Sequence, residues 1–260
     1  MLSNAFYFVV MLAWNVVNGE GKEYLQGIFN IGMLRDVLVF NVSPFCEPLW
    51  YLNAVLYCVA VVMLIDRFGN RKILYVLAPI LIVGDMILGQ YSIFVFGRYF
   101  PNVLTRNWLF FGLPNVSIGM MIREYELAEK LHRYKKILSA ASIILVVGIC
   151  IEHYLLQKAG VIAGREHYFC AVLLSVVLFV LFAQKTETKD RIESCLASIG
   201  KNASTGIYII HPFFAMSLPL AFRQVRMGTL YYVLAPVIVF AVAMISVLIY
   251  EAVKRRLLKR

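Results

Sequence analysis

The chain has 260 residues, 61% of them hydrophobic and 15% charged, with a formal net charge of +10. Soluble domains are roughly half apolar and about a quarter charged, so this composition excludes an ordinary soluble enzyme and indicates an all-α, polytopic membrane protein. The positive charge gathers in alternate short loops rather than on one patch, so no nucleic-acid partner is expected.

In chain order, apolar runs fall at about 2–17, 47–65, 73–96, 103–122, 137–157, 168–184, 204–222 and 230–250. Each is close to the ~20 residues that cross a bilayer core as a helix. The expectation is a bundle of about eight transmembrane helices in one membrane-embedded domain, 1–260, with no soluble domain appended. The first run, opening Met1-Leu-Ser-Asn-Ala-Phe, has no basic flank. A signal peptide or a dominant first helix carries one. Either later loops set the topology, or the chain starts partway through a larger fold.

The connection 18–46 is the longest, and its stretch from Tyr24 to Phe40 is mixed enough for an interfacial or re-entrant helix. Lys and Arg number 17 in the segments 66–72, 123–136, 185–203 and 251–260, against 8 elsewhere. By the positive-inside rule both termini are cytoplasmic. The basic end Lys254–Arg260 reads as a topology anchor beside anionic lipid. Five cysteines are present. On this topology only Cys46 is in an outer loop, so no disulfide framework is expected.

Polar residues inside the apolar runs are the candidate site. Glu47, Trp50, Asn53 and Tyr57 recur at three- and four-residue spacing and so share one helix face. That face either lines the bundle interior or is an interfacial aromatic anchor with one interhelical Asn hydrogen bond. Asp85 stands 13 residues past Lys72, roughly 20 Å along a helix. A carboxylate at that depth protonates or finds a partner, either as helix-to-helix glue or in a proton-transfer or substrate role. Asn115, after Pro114, reads as helix-to-helix glue or as a substrate contact. Glu152 and His153 fall at a helix end. The Asn-x-Ser triplets at Asn41, Asn115 and Asn202 are not credible glycan sites, being followed by proline, inside an apolar run and cytoplasmic respectively.

The densest stretch is Ser198–Phe214, where Lys201, Asn202, Ser204 and Thr205 open into an apolar run carrying His211-Pro212. A histidine in such a run usually faces a cavity or a partner. Pro212 releases the Tyr208 carbonyl from the helix ladder. The chain contains no phosphate-binding Gly loop, His-x-x-x-His, Cys-x-x-Cys or Gly-x-Ser-x-Gly, and no metal site is expected.

Three segments occur in order: Ser43-Pro-Phe with Leu49-Trp-Tyr-Leu-Asn-Ala-Val-Leu-Tyr57; Phe110-Phe-Gly-Leu-Pro-Asn-Val-Ser-Ile-Gly-Met-Met121; and Ile199-Gly-Lys-Asn-Ala-Ser-Thr-Gly-Ile-Tyr-Ile-Ile-His-Pro212. Together they resemble the integral-membrane acyltransferase family 3, which includes O-acetyltransferases of bacterial cell-surface polysaccharides. Each segment alone is soft; their order and spacing are more specific. The resemblance implies a multi-pass protein of the bacterial cytoplasmic membrane. Such a protein transfers an acyl group, commonly acetyl, from cytoplasmic acyl-CoA to a hydroxyl of a cell-surface glycan or related acceptor. The donor is a substrate; no bound cofactor is expected. The family bundle has ten helices, and the two without counterparts here are its first two. Those carry the histidine usually assigned as catalytic and an arginine-rich donor loop. On that count the chain is N-terminally incomplete and should not complete acyl transfer alone. Its open apolar flank would pair with a second chain, identical or not. Pro48 stands where relatives often have His.

Within that resemblance His211 and Asp85 are the catalytic candidates. Glu47, Trp50, Asn53, Tyr57, Asn115 and Tyr208 are the substrate-binding candidates. A helix starting near Ser204 would aim its N-terminus, with Lys201 and Asn202, at the anionic CoA. Ser204, Tyr208 and His211 would then line one face, with His211 roughly 11 Å inward, placed to polarise an acyl carbonyl or relay a proton. Packing alone also accounts for His211. The rival functions are a transporter-like module and a catalytically silent fragment of the family.

Overall fold

The computed structural model describes residues 2–161, 167–184, 191–221 and 228–257. Among the described residues there are twelve α-helices and no strand: α1 Leu2–Val17, α2 Gly21–Ile28, α3 Ile31–Phe40, α4 Trp50–Phe68, α5 Lys72–Leu88, α6 Ser92–Phe96, α7 Leu113–Glu124, α8 Leu127–Lys130, α9 Lys135–Lys158, α10 Phe169–Ala183, α11 Arg191–Ala221 and α12 Gly228–Leu257. The mixed stretch before residue 41 forms the short helices α2 and α3.

Three helical stretches are long and apolar enough to cross a membrane: Glu47–Phe68, His132–Lys158 and Leu234–Leu257. Ser3–Val17 and Phe169–Ala183 are apolar but shorter. Many aliphatic and aromatic side chains point outward, among them Leu56, Ile80, Ile144, Phe182 and Phe240. Water would penalise such surfaces; hydrocarbon does not.

Two apolar runs are subdivided. The run 73–96 breaks after α5, because Gly89 takes a backbone conformation (φ −92°, ψ −108°) in which an added Cβ would lie 2.6 Å from the Asp85 carbonyl. Asp85 therefore sits in the last turn of α5, not deep in a long helix as its distance from Lys72 suggests. The run 103–122 begins as a π-helical turn, Trp108–Gly112, before α7 takes over with Pro114 in its first turn. Asn107 caps that turn, accepting from the Leu109 and Phe110 N–H groups at 2.9 and 3.1 Å.

The chain divides into two compact units, Asn4–Thr186 and Glu187–Arg260 with the first three residues. In the larger one α5 packs on α7, α4 on the π turn and α9 on α10. Its apolar centre holds Cys58, Leu74 and Leu113. Gly112 permits the α4 contact: a Cβ there would lie 2.8 Å from the Cys58 sulfur. The Glu152 carboxylate of α9 accepts hydrogen bonds from the Phe169 and Cys170 N–H groups (2.7 and 2.9 Å) and from Tyr91. It thus satisfies free donors at the N-terminus of α10, where a negative charge is favoured.

The smaller unit is the pair α11 and α12, closed over Ala203, Ile207, Ala243 and Val247. Here the expected helix start near Ser204 is overturned. Helix α11 begins at Arg191 and runs unbroken through Ser204. Gly200 alone does not interrupt it, since a single mid-helix glycine costs only about 1 kcal/mol. The Ser204 amide is therefore inside the helix, and no helix N-terminus exists there to hold an anion.

Candidate functional site

In the larger unit, Asp85 at the end of α5 meets His167, two residues ahead of α10. Its carboxylate bonds the ring Nδ1, and both residues are buried. Burying an acid or a base without a partner is costly, and pairing offsets part of that cost. The clamp of Glu152 on Phe169 and Cys170 fixes the chain just beyond His167. With a carboxylate accepting at Nδ1, the neutral form of the ring carries its proton on that nitrogen and leaves a lone pair on Nε2.

The His167 ring lies flat on Phe111, with centroids 4.5 Å apart and planes 1° from parallel. Phe111 is delivered by the π turn, an insertion that re-aims side chains and recurs at functional sites. Trp50 packs its edge against Phe111 at 5.3 Å, and the Arg106 guanidinium covers Trp50 at 5.2 Å. Arg106 in turn pairs with Glu47. One unbroken chain of contacts thus links exposed Glu47 to buried Asp85. Of the face predicted at the start of α4, Glu47 and Trp50 belong to it.

Asn53 and Tyr57 do other work. Asn53 donates to the Asn41 carbonyl at 3.4 Å and accepts from Asn4 at 3.3 Å. Tyr57 donates to the Val37 carbonyl at 3.3 Å and stacks on Trp108 at 5.9 Å. Both tie α3 and the following loop to α4 and the π turn. The centre of that tie is Asn41, fully buried in the left-handed region (φ 53°) that ends α3. Asparagine tolerates this conformation better than most residues. Its amide donates to the Trp50 carbonyl at 3.0 Å and accepts from the Trp108 N–H at 2.7 Å.

Asn115 meets this chain of contacts at Phe111. It donates to the Phe111 carbonyl at 2.7 Å and lines a separate cavity of about 480 Å³ with Phe111, Cys58 and Ser175.

In the smaller unit, Ser204, Tyr208 and His211 line one groove of about 920 Å³ between α11 and α12. The Tyr208 carbonyl that Pro212 leaves without an amide donor is taken by the ring of His211, Nδ1 to oxygen 2.8 Å. A carbonyl only accepts, so Nδ1 carries the proton and neutral Nε2 has none. His211 in that state receives a proton and does not polarise a carbonyl by donating to it. Lys201 and Asn202 are exposed on α11, and the Asn202 amide bonds back to the Ser198 carbonyl at 2.9 Å.

Nothing in the sequence alone marks His167, Asn41 or Arg106 as site residues. His167 is a lone histidine between two apolar runs, 82 residues from its acid partner, and no spacing joins them. Asn41 drew notice only as part of an Asn-x-Ser triplet. Among the described residues no cluster of three metal-binding side chains occurs.

Neither the curated proteins nor the solved structures contain a match to this chain. The family model described as an acyltransferase domain matches residues 2–250. That span takes in both units, the acid–histidine pair and the groove around His211, so the chain belongs to the membrane acyltransferase family 3, with a membrane acyltransferase-like function.

Proposed function

We propose that the protein is a multi-pass acyltransferase of the bacterial cytoplasmic membrane, moving an acyl group, in the simplest case acetyl, from acyl-CoA to a hydroxyl of a cell-surface glycan or related acceptor. The observation that carries this reading is the buried Asp85–His167 pair, which supplies a positioned base in a chain of an acyltransferase family. Asp85 holds Nδ1–H, so Nε2 takes the proton of the acceptor hydroxyl as its oxygen attacks the thioester carbonyl. The tetrahedral intermediate collapses with cleavage of the C–S bond. His167, now protonated and steadied by Asp85, returns the proton to the CoA thiolate.

In this reading eight helices cross the bilayer with both termini on the cytoplasmic side. Pairing the proton-accepting ring with a carboxylate suits it to general-base work. His211 is the alternative base, since its Nε2 also keeps a lone pair within a groove.

The test measures CoA thiol release by the reconstituted protein with acetyl-CoA and candidate hydroxyl acceptors; turnover by the unaltered chain supports this reading, and its absence supports the expectation that the chain does not complete acyl transfer alone. His167→Gln should lower kcat by about 10²–10⁴-fold, the usual loss of a general base. Asp85→Asn should lower it with little change in the KM of the donor. Full turnover in His167→Gln, with loss in His211→Gln, would move the base to α11 and overturn the assignment.

A further inference from the structure

A second cavity in the larger unit, about 540 Å³ in volume, lies between α5, α7 and α10. On α5 its lining residues Tyr75, Ala78, Pro79, Ile82, Val83 and Met86 recur at three- and four-residue spacing, so one face of that helix forms the wall. From Tyr75 to Ile87 the wall is about 18 Å long at the rise of an α-helix. One leaflet of a bilayer core spans about 15 Å. The opposite side is as apolar, with Ile118 from α7 and Val172 and Val176 from α10.

Three hydroxyls are the polar side-chain groups of this wall, and each is already donating: Ser117 to the Leu113 carbonyl at 2.7 Å, Tyr75 to Glu124 and Tyr91 to Glu152. No charged side chain lines it. A buried water needs about two to four polar partners, and Tyr75 and Tyr91 stand at opposite ends of the wall. Water along it therefore meets the lone pairs of one hydroxyl at a time. Protein interiors keep few voids larger than a water molecule, because unfilled volume costs stability in proportion to its size. Hydrocarbon needs no polar partner, and it is the solvent of a membrane protein. The cavity is half-open, and Val83 and Leu173 on its wall are exposed, which gives a chain a way in from the side.

We propose that one acyl chain of a membrane phospholipid occupies this cavity as a structural ligand, completing the packing of α10 against α5 and α7. Its place bears on the acid–histidine pair. Met86 of the wall adjoins Asp85, and Phe169 of the wall follows His167 by two residues. The chain so seated holds the two helix ends that carry the pair at a fixed spacing. This assignment is independent of which acyl group the protein transfers, and to what.

Native mass spectrometry of the full chain, extracted in mild detergent, reads the occupant. The unaltered protein should retain a phospholipid, identified by its mass. Val172→Phe, which fills the cavity from α10, should lose it, and the milder Val172→Leu should keep part. A phospholipid carrying a diazirine in mid-chain, in nanodiscs, then locates the chain. Peptide mapping should find label on Met86 or Ile118, which line the cavity, as well as on exposed Ile80, which does not. The cavity label should be lost in Val172→Phe. Stripping lipid with excess detergent should lower the thermal midpoint of the unaltered protein, and added phospholipid should restore it. Val172→Phe should respond less, being filled from within.

No retained lipid, a retained mass of a free fatty acid, or equal retention in a folded Val172→Phe overturns the phospholipid site. Label confined to outward residues such as Ile80 overturns its place in this cavity. A midpoint indifferent to lipid removal overturns the structural role. Should Val172→Phe fail to fold, the label map of the unaltered protein decides the site.

Discussion

Asn41 and Cys46 show how much of the site rests on the loop between α3 and α4. Asn41 holds a left-handed backbone and satisfies groups on both Trp50 and Trp108. Asn41→Ala both strains the backbone and takes a partner from the buried Trp50 carbonyl and the half-buried Trp108 N–H. Each stranded group costs about 1–3 kcal/mol, so the thermal midpoint in detergent should fall clearly. Asn41→Gly should recover the backbone part alone and fall between the two. Equal midpoints for the alanine and glycine variants would remove strain from the account. At Cys46, burial pushes the thiol up to about 11, with the Glu47 carboxylate adding to the rise and a hydrogen bond at the Leu49 backbone opposing it. The folded form therefore favours the neutral thiol. Its contribution is whole below the ordinary thiol value of 9 and is lost as pH rises toward about 11. Maleimide at pH 8 should accordingly modify the exposed Cys195 well before Cys46, and peptide mapping would show the order.

At the scale of elements, the helix pairs meet where residues are small. An added Cβ at Gly206 on α11 would lie 2.8 Å from a methyl of Val247 on α12. Gly206→Leu should force the pair apart and cost about 1–3 kcal/mol, the usual penalty of overpacking. Val247→Ala in the same chain should restore part of the loss, because the methyl that clashes is gone. A double-mutant cycle on denaturation midpoints measures this coupling, and simple additivity would refute the direct contact. The π turn works in the opposite sense. Its extra residue leaves the straight-helix register, and the side chain so displaced is Phe111, which packs on His167 and Trp50. A regular α-helix from Trp108 onward would aim Phe111 elsewhere.

For the whole molecule, topology follows from the loops. Reporter fusions after Lys136 and Arg260 should be cytoplasmic, and fusions after Lys22 and Arg165 should be exported, as the 17-to-8 basic asymmetry directs. A cytoplasmic reporter at Lys22 would break the eight-helix arrangement. The largely apolar exterior of the described helices agrees with a bilayer setting.

Much of this was legible in composition and order. Apolar runs near membrane length announced helices, because hydrocarbon leaves the backbone no partner but itself. The three aromatic-rich segments pointed to the family whose model matches residues 2–250. The freed Tyr208 carbonyl also followed from sequence, since proline lacks an N–H wherever it stands. Pairing did not follow. Asp85 was visible as a carboxylate in need of a partner, but its partner is 82 residues away in a segment without periodicity. Glu47, Trp50, Asn53 and Tyr57 share a helix face, yet two join the chain of contacts to His167 and two brace a loop. The length of α11 through Ser204 and the π turn before α7 were likewise decided by packing, because local propensities there differ by about 1 kcal/mol or less per residue. Sequence determined what each segment must bury; only the tertiary structure decided against which neighbour, because a buried charge is satisfied by proximity in space and not by spacing along the chain.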